Sequence, residues 1–304
     1  MLMETAALLA AAIASLWALR HLAHLAILHG LRAPREPHTQ PLTDHGIAAD
    51  AVHEVSIAGP HGKQLFGWLV SPALASQQPA PAVLVMHGWG ANASMMGSIA
   101  APLHAAGFAV LLLDARCHGQ SDDEPFTSMP RFAEDIAAGL AWLRTQPGIA
   151  GERLALLGHS VGAGACLLHA ARQQDVCAVV SLSAFAHPVE VMRRLMFEKR
   201  VPFPVIGWYV LRHVQRVIGA RFDDIAPIHT IADVRCPVLL VHGQRDATVP
   251  VSDAQRLLAA SANAQLLLID GEHDLREALD AHGRELVGFL QVACAPQRKI
   301  KSTE

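Results

Sequence analysis

Aromatic residues are scarce in this chain: they make up 5% of it, with a single Tyr. Charge is scarce too, at 17% Asp, Glu, Lys and Arg, and the formal net charge is only −3. Without a basic excess there is no electrostatic footprint for a nucleic-acid partner. A hydrophobic share of 52% excludes a disordered chain. Cysteine is sparse and unpatterned. Cys117, Cys166, Cys177, Cys236 and Cys294 include no Cys-x-x-Cys pair, their number is odd, and most sit in or beside apolar runs. They read as small hydrophobes rather than a disulfide framework, which points to a reducing compartment. At 304 residues the chain fits one large α/β domain with an insertion, or two small domains.

What is present begins at the N-terminus. Within residues 5–19 only Thr5 and Ser15 are polar, and apolar character continues through Leu31. That stretch alone makes about 22 Å of helix, short of a ~30 Å hydrocarbon core. Residues 2–25 reach the required length, with Arg20 snorkelling toward a headgroup layer. Beyond it Arg20, His21, His24 and Arg32 gather on one side of a helical projection, the pattern of an interfacial extension. Residues 1–32 are therefore expected to form an anchor helix, with a membrane as partner through residues 2–31. A cleaved signal peptide would open on basic residues, and this chain opens Met1-Leu2-Met3-Glu4; a buried core helix is the remaining alternative. Arg20, Arg32 and Arg35 all follow the apolar segment, so the positive-inside rule predicts a single-pass protein with its domain in the cytoplasm. Residues 33–50, with Pro34, Pro37 and Pro41 among polar neighbours, read as a linker.

Eight strand-like runs follow. Residues 51–58 and 63–70 flank Pro60-His61-Gly62 and read as an antiparallel hairpin. Residues 82–86, 109–113, 154–157, 176–182, 237–241 and 264–269 are short continuous apolar runs, as strands buried on both faces are. Helical patterns alternate with them near 94–106, 129–145, 161–173, 251–260 and 275–292. The expected fold is α/β, an eight-stranded mainly parallel sheet with helices on both faces. No internal repeat or low-complexity tract interrupts it.

The chemistry concentrates at three strand ends. An apolar run leads into Gly158-His159-Ser160-Val161-Gly162 and then into a small-residue helix. A sharp strand-to-helix turn lifts the Ser160 hydroxyl above the sheet, and Gly158 and Gly162 keep side chains out of the crowded turn. The helix N-terminus offers free N–H groups and the positive end of its dipole to a developing oxyanion. A serine hydroxyl needs a base held in the right tautomer. Asp246 follows the next-to-last strand and His273 the last, so parallel strands bring both to the edge where Ser160 stands. Asp270, Glu272 and Asp274 crowd His273, yet a neighbour in the same turn rarely reaches the ring beside it. Asp114 is strand-terminal too but precedes the serine. The oxyanion donors expected are the amides of Val161 and Trp89, with Gly88 allowing close approach.

This set resembles the α/β-hydrolase superfamily, in particular its esterase and serine-aminopeptidase-like group, over about residues 51–291. His87-Gly88, the 114–121 loop with Arg116, His118, Gly119 and Ser121, the Ser160 elbow, His242-Gly243-x-x-Asp246 and Gly271-x-His273 match in order. The resemblance implies a structural role for the 114–121 loop, in which Cys117 stands where relatives more often have Gly. It also implies a helical cap from the insertion at 185–235, between a core made of 51–184 and 236–293; residues 294–304 are left as a tail.

The cap holds Phe185, Phe197, Phe203, Trp208, Tyr209 and Phe222, a large share of the aromatics. Some form a local core; a surplus would line an apolar acyl pocket. It also carries Arg193, Arg194, Lys199, Arg200, Arg212, Arg216 and Arg221, either a solvated basic face or one that lies on anionic lipid. The expected activity is hydrolysis of a carboxylic ester, lipid-like acyl esters among the candidates, with peptidase, thioesterase, acyltransferase or non-catalytic binding as alternatives of the same fold. No cofactor is expected. A metal-dependent hydrolase would need a ligand set such as His-x-x-x-His on one face, and none stands near the site.

Overall fold

The computed structural model describes residues 2–73 and 78–296. The tail beyond 296 and Met1 therefore lie outside the described residues. The elements in chain order are α1 (Leu2–Gly30), β1 (Val52–Ala58), β2 (Gln64–Val70), β3 (Ala80–Met86), α2 (Gly97–Ala105), β4 (Ala109–Leu113), α3 (Met129–Leu143) and β5 (Ile149–His159). There follow α4 (Val161–Gln173), β6 (Ala178–Leu182), α5 (Pro188–Glu198), α6 (Trp208–Ile218), α7 (Phe222–Ile225), α8 (Pro227–Thr230), β7 (Val238–Gly243), α9 (Val251–Ala259), β8 (Ala264–Ile269) and α10 (Arg276–Ala293).

The strands form one eight-stranded sheet in the order β1-β2-β4-β3-β5-β6-β7-β8. β1 pairs with β2 and β2 with β4 antiparallel; every later pairing is parallel. Alternation of side chains divides the core in two. Leu84 and Met86 of β3 face a cluster with α3 and α4, while Val83 and Val85 face one with α2 and α10. On α3, Phe132, Ile136, Leu140 and Leu143 sit at helical spacing and are completely buried. The strand expected from 154 begins earlier, at Ile149, and its register against β3 shifts between Ile149 and Leu154.

Two expectations are overturned. Residues 33–50 are not a free linker but a docked strap. Leu42 and Ile47 are buried against the cluster that holds α2, and Asn92 Nδ2 donates to the carbonyls of Glu36 and Pro37. The prolines hold the strap extended, and two well-spaced apolar side chains suffice to seat it. The second correction concerns cysteine. Cys177, at the entry to β6, is disulfide-bonded to Cys294, just past α10, across a sequence separation of 117. A pairing made by two distant elements leaves no local spacing to read, so the inference of a reducing compartment loses its basis. Cys117 and Cys166 are free and buried, as small hydrophobes are.

α1 is one continuous helix, long and apolar enough to cross a membrane. Residues 2–22 are exposed all round; Ile27 joins the domain core and Leu31 packs against it.

Candidate active site

The elbow that presents Ser160 depends on close approach of backbones. Ser160 is held at φ 52°, ψ −113°, a strained conformation for a residue with a side chain. A Cβ on Gly158 would stand 2.4 Å from the Gly162 carbonyl oxygen, and one on Gly162 would stand 2.3 Å from that of His87. The Ser160 amide donates to the Leu182 carbonyl at 2.8 Å, which fixes the turn to β6. The strain is thus held by neighbours on both sides.

His273 Nε2 lies 3.1 Å from Ser160 Oγ, and His273 Nδ1 lies 2.8 Å from Asp246 Oδ2. Asp246 Oδ1 accepts the amides of Thr248 and Val249 at 2.9 and 2.7 Å. Burial works to raise the Asp246 carboxyl, but the hydrogen bond from His273 and the Val249 amide outweigh it and hold its pKa below the usual carboxylate range. Asp246 is therefore the ionised partner of His273, and its charge fixes which ring nitrogen faces the serine. Of the acids that crowd His273 in sequence, Asp270 pairs with Arg245 instead.

Sequence reasoning missed what holds His273 itself. His159 Nε2 donates to the His273 carbonyl at 2.9 Å, and Ser183 Oγ donates to the same oxygen at 3.2 Å. His159 sits in the elbow motif and Ser183 ends β6, but nothing local announces a bond to a loop 90 or more residues away.

The loop after β3 faces the serine. A Cβ on Gly88 would meet Ser160 Cβ at 3.4 Å, so the backbone leading into Trp89 lies against Ser160. Val161 opens α4 on the opposite flank. A second network holds this loop from behind. His87 Nδ1 donates to the Gly88 carbonyl, and its Nε2 accepts the Ala115 amide, which defines a neutral ring. Burial lowers its pKa, in keeping with that state. Asp114 is completely buried and accepts from His38 Nε2 and from the amides of Ala93 and Gln120. The strap residues Pro34 and His38 thus brace the loop from outside, with Pro34 against Gly90. The 114–121 loop is structural in this arrangement: Arg116 is buried and bonded to Asp135, Glu134 and Glu124. Cys117, where relatives more often have Gly, holds φ 68°, the left-handed region that favours glycine.

Beside the catalytic edge lies an apolar hollow of about 150 Å³, between the loop after β3 and the His273 loop. Met95, Met96, Ile99, Leu182 and Leu275 line it, with His159 and Asp274 at its border. Among the described residues one group, His187, Asp223 and His229, brings metal-capable atoms within 4.8 Å of one another. His187 Nδ1 accepts the Val189 amide and its Nε2 donates to Asp223, so no nitrogen of that ring is left to bind an ion. The group ties the start of α5 to α7 and α8 by hydrogen bonds.

A mainly parallel eight-stranded sheet, an elbow serine and a hydrogen-bonded histidine and aspartate at its carboxyl edge define a class: the chain belongs to the α/β-hydrolase superfamily. The family described as "Serine aminopeptidase, S33" matches residues 77–216. The uncharacterized protein Rv2307c of Mycobacterium tuberculosis is 31% identical over 233 residues, 77% of this chain and 75% of the relative. The uncharacterized protein YfhR of Escherichia coli is 26% identical over 257 residues, 81% of this chain and 83% of the relative. Among solved structures, the Pyrococcus furiosus esterase Pf2001 aligns with TM-score 0.66 and 20% identity over 86% of this chain and 96% of its own. Est1E of Butyrivibrio proteoclasticus, solved with ferulic acid bound, aligns with TM-score 0.63 and 20% identity over 78% of this chain and all of its own.

Proposed function

We propose that this protein is a membrane-anchored serine hydrolase that cleaves carboxylic esters, lipid-like acyl esters among them, through an acyl-enzyme on Ser160. The unbroken hydrogen-bonded chain from Ser160 through His273 to Asp246 carries the reading. His273 Nε2 takes the hydroxyl proton as Ser160 Oγ bonds to the ester carbonyl carbon. The carbonyl electron pair moves to oxygen, which the amides of Val161 and Trp89 stabilise. As the carbonyl re-forms, the bond to the alcohol oxygen breaks and His273 delivers the proton to it. Water repeats the two steps on the acyl-enzyme, releasing the acid and restoring Ser160. Asp246 keeps its charge throughout and orients His273. The steps need no cofactor.

Labelling with a fluorophosphonate probe tests this. The intact protein is expected to label, and Ser160→Ala and His273→Ala are not. Absence of labelling in the intact protein, or unchanged labelling of Ser160→Ala, refutes the reading. The serine-aminopeptidase likeness favours a second reading, peptide cleavage by the same groups. Turnover of aminoacyl arylamides above that of matched esters would select it.

The fusion of α1 into the core supports a retained anchor over a cleaved leader. For its orientation we propose the reverse of the positive-inside expectation. The Cys177–Cys294 bond belongs to an oxidising compartment. Alkylation of denatured membranes would capture both cysteines only after reduction; capture without reductant would return the domain to the cytoplasm.

A further inference from the structure

α1 does more than tether the domain, because its seating fixes where the domain stands. Residues 2–22 are exposed, and at about 1.5 Å per residue they make about 31 Å, the thickness of a hydrocarbon core. The first contacts with the domain come directly after, at Ala23 and His24, with no break in the helix before Gly30. His24 Nδ1 lies 3.0 Å from His213 Nε2 of α6, Ile27 is buried in the core, and the Leu31 carbonyl accepts the Thr127 amide. A continuous helix gripped at its base leaves no joint between span and cap. The element gripped nearest the boundary is α6.

The cap presents an unusual face there. Among the described residues outside α1, the exposed large hydrophobics are Trp89, Leu195, Phe197, Ile206, Trp208 and Val292; all but Trp89 and Val292 belong to the cap. Phe197 is 85% exposed and Trp208 59%. On α6, Leu211 and Val214 point inward, while Trp208, Arg212 and Arg216, four residues apart, form an outer stripe. An open groove of about 490 Å³ runs beside α5, with Phe197, Val201 and Phe203 along it and Arg193 stacked 4.3 Å from the Phe203 ring centre. Exposed aromatics interleaved with arginines suit the interfacial layer of a bilayer that carries negative charge.

We propose that the cap face of Leu195, Phe197, Ile206 and Trp208, with Arg193 and Arg212, docks into the interface of an anionic bilayer continuous with the α1 span. The ester then reaches Ser160 from the lipid phase; this second half rests on the hydrolase reading above. The bilayer is favoured over a protein partner because α1 brings the face to it without any further encounter.

The test uses the full chain in nanodiscs of phosphatidylcholine and phosphatidylglycerol. Brominated lipids are expected to quench Trp208, read as the quenched emission lost in Trp208→Phe. A Trp208 signal untouched by bromine overturns the docking. In the same discs, Phe197→Ser with Trp208→Ser is expected to lower the ratio of bilayer-ester to soluble-ester turnover by about tenfold, since two large side chains leave the interface. An unaltered ratio overturns delivery from the lipid. Hydrolysis of neither ester by the intact protein refutes the esterase reading and leaves docking to be judged by the quenching alone.

Discussion

At the elbow, backbone presses on backbone and the polar side chains of Ser160, His273 and Asp246 have partners, whereas on the cap large apolar side chains are exposed. Ser160 keeps a strained backbone because β3, β6 and α4 surround it. Phe197 and Trp208 are free to meet whatever approaches. Chemistry needs the first arrangement, since a nucleophile misplaced by an ångström loses much of its rate. Substrate choice is suited by the second. On the proposed reading the core would fix what bond is cleaved and the cap where the substrate comes from.

The largest effect expected from breaking this division is at Ser160. Ser160→Ala should lower ester turnover by about 10⁴-fold or more, with the melting temperature little changed. A similar loss from cap substitutions such as Trp208→Phe would mean that the division is false.

Glycine substitutions compare the two regions directly. Gly162→Ala places a methyl group 2.3 Å from the His87 carbonyl oxygen, a backbone atom that cannot step aside. It should destabilise the fold by on the order of 3 kcal/mol or more in urea denaturation. Gly219→Ala, at the end of α6, meets nothing within 4 Å and is disfavoured only by its φ of +70°. About 1 kcal/mol is expected there. Next comes the disulfide, which closes the core and not the cap. Cys177→Ser with Cys294→Ser should cost about 2–4 kcal/mol in the same assay, without loss of fluorophosphonate labelling.

Much of this was legible in the sequence, and the division explains what was not. The strands announced themselves because a strand buried on both faces is a continuous apolar run, and 109–113 and 237–241 are runs too short for a helix. That Ser160, Asp246 and His273 would meet was legible because each follows such a run. What escaped was held by pairs of distant segments. His38 reaches Asp114, His159 and Ser183 reach the His273 carbonyl, and Cys177 reaches Cys294. No periodicity encodes those contacts. The strap escaped for a related reason: Leu42 and Ile47 are too few to make a pattern, though enough to fill two places in a core.

The smallest effect lies where cap and span meet. Burial lowers the pKa of His213, and His24 and Arg20 on α1 and Arg216 on α6 lower it further. A histidine whose pKa falls on folding prefers to be neutral in the folded state. The contact is therefore at full strength above the ordinary histidine range. It weakens as pH falls through that range, when protonating His213 sets a cation beside Arg216 and the span. Amide protection in α6, corrected for the intrinsic slowing of exchange at lower pH, should fall between pH 7.5 and pH 5.5, and that of the amides around Ser160 should not follow. In His213→Gln the pH dependence in α6 should disappear. If exchange at the elbow rose in step with α6, the cap would not move independently of the core.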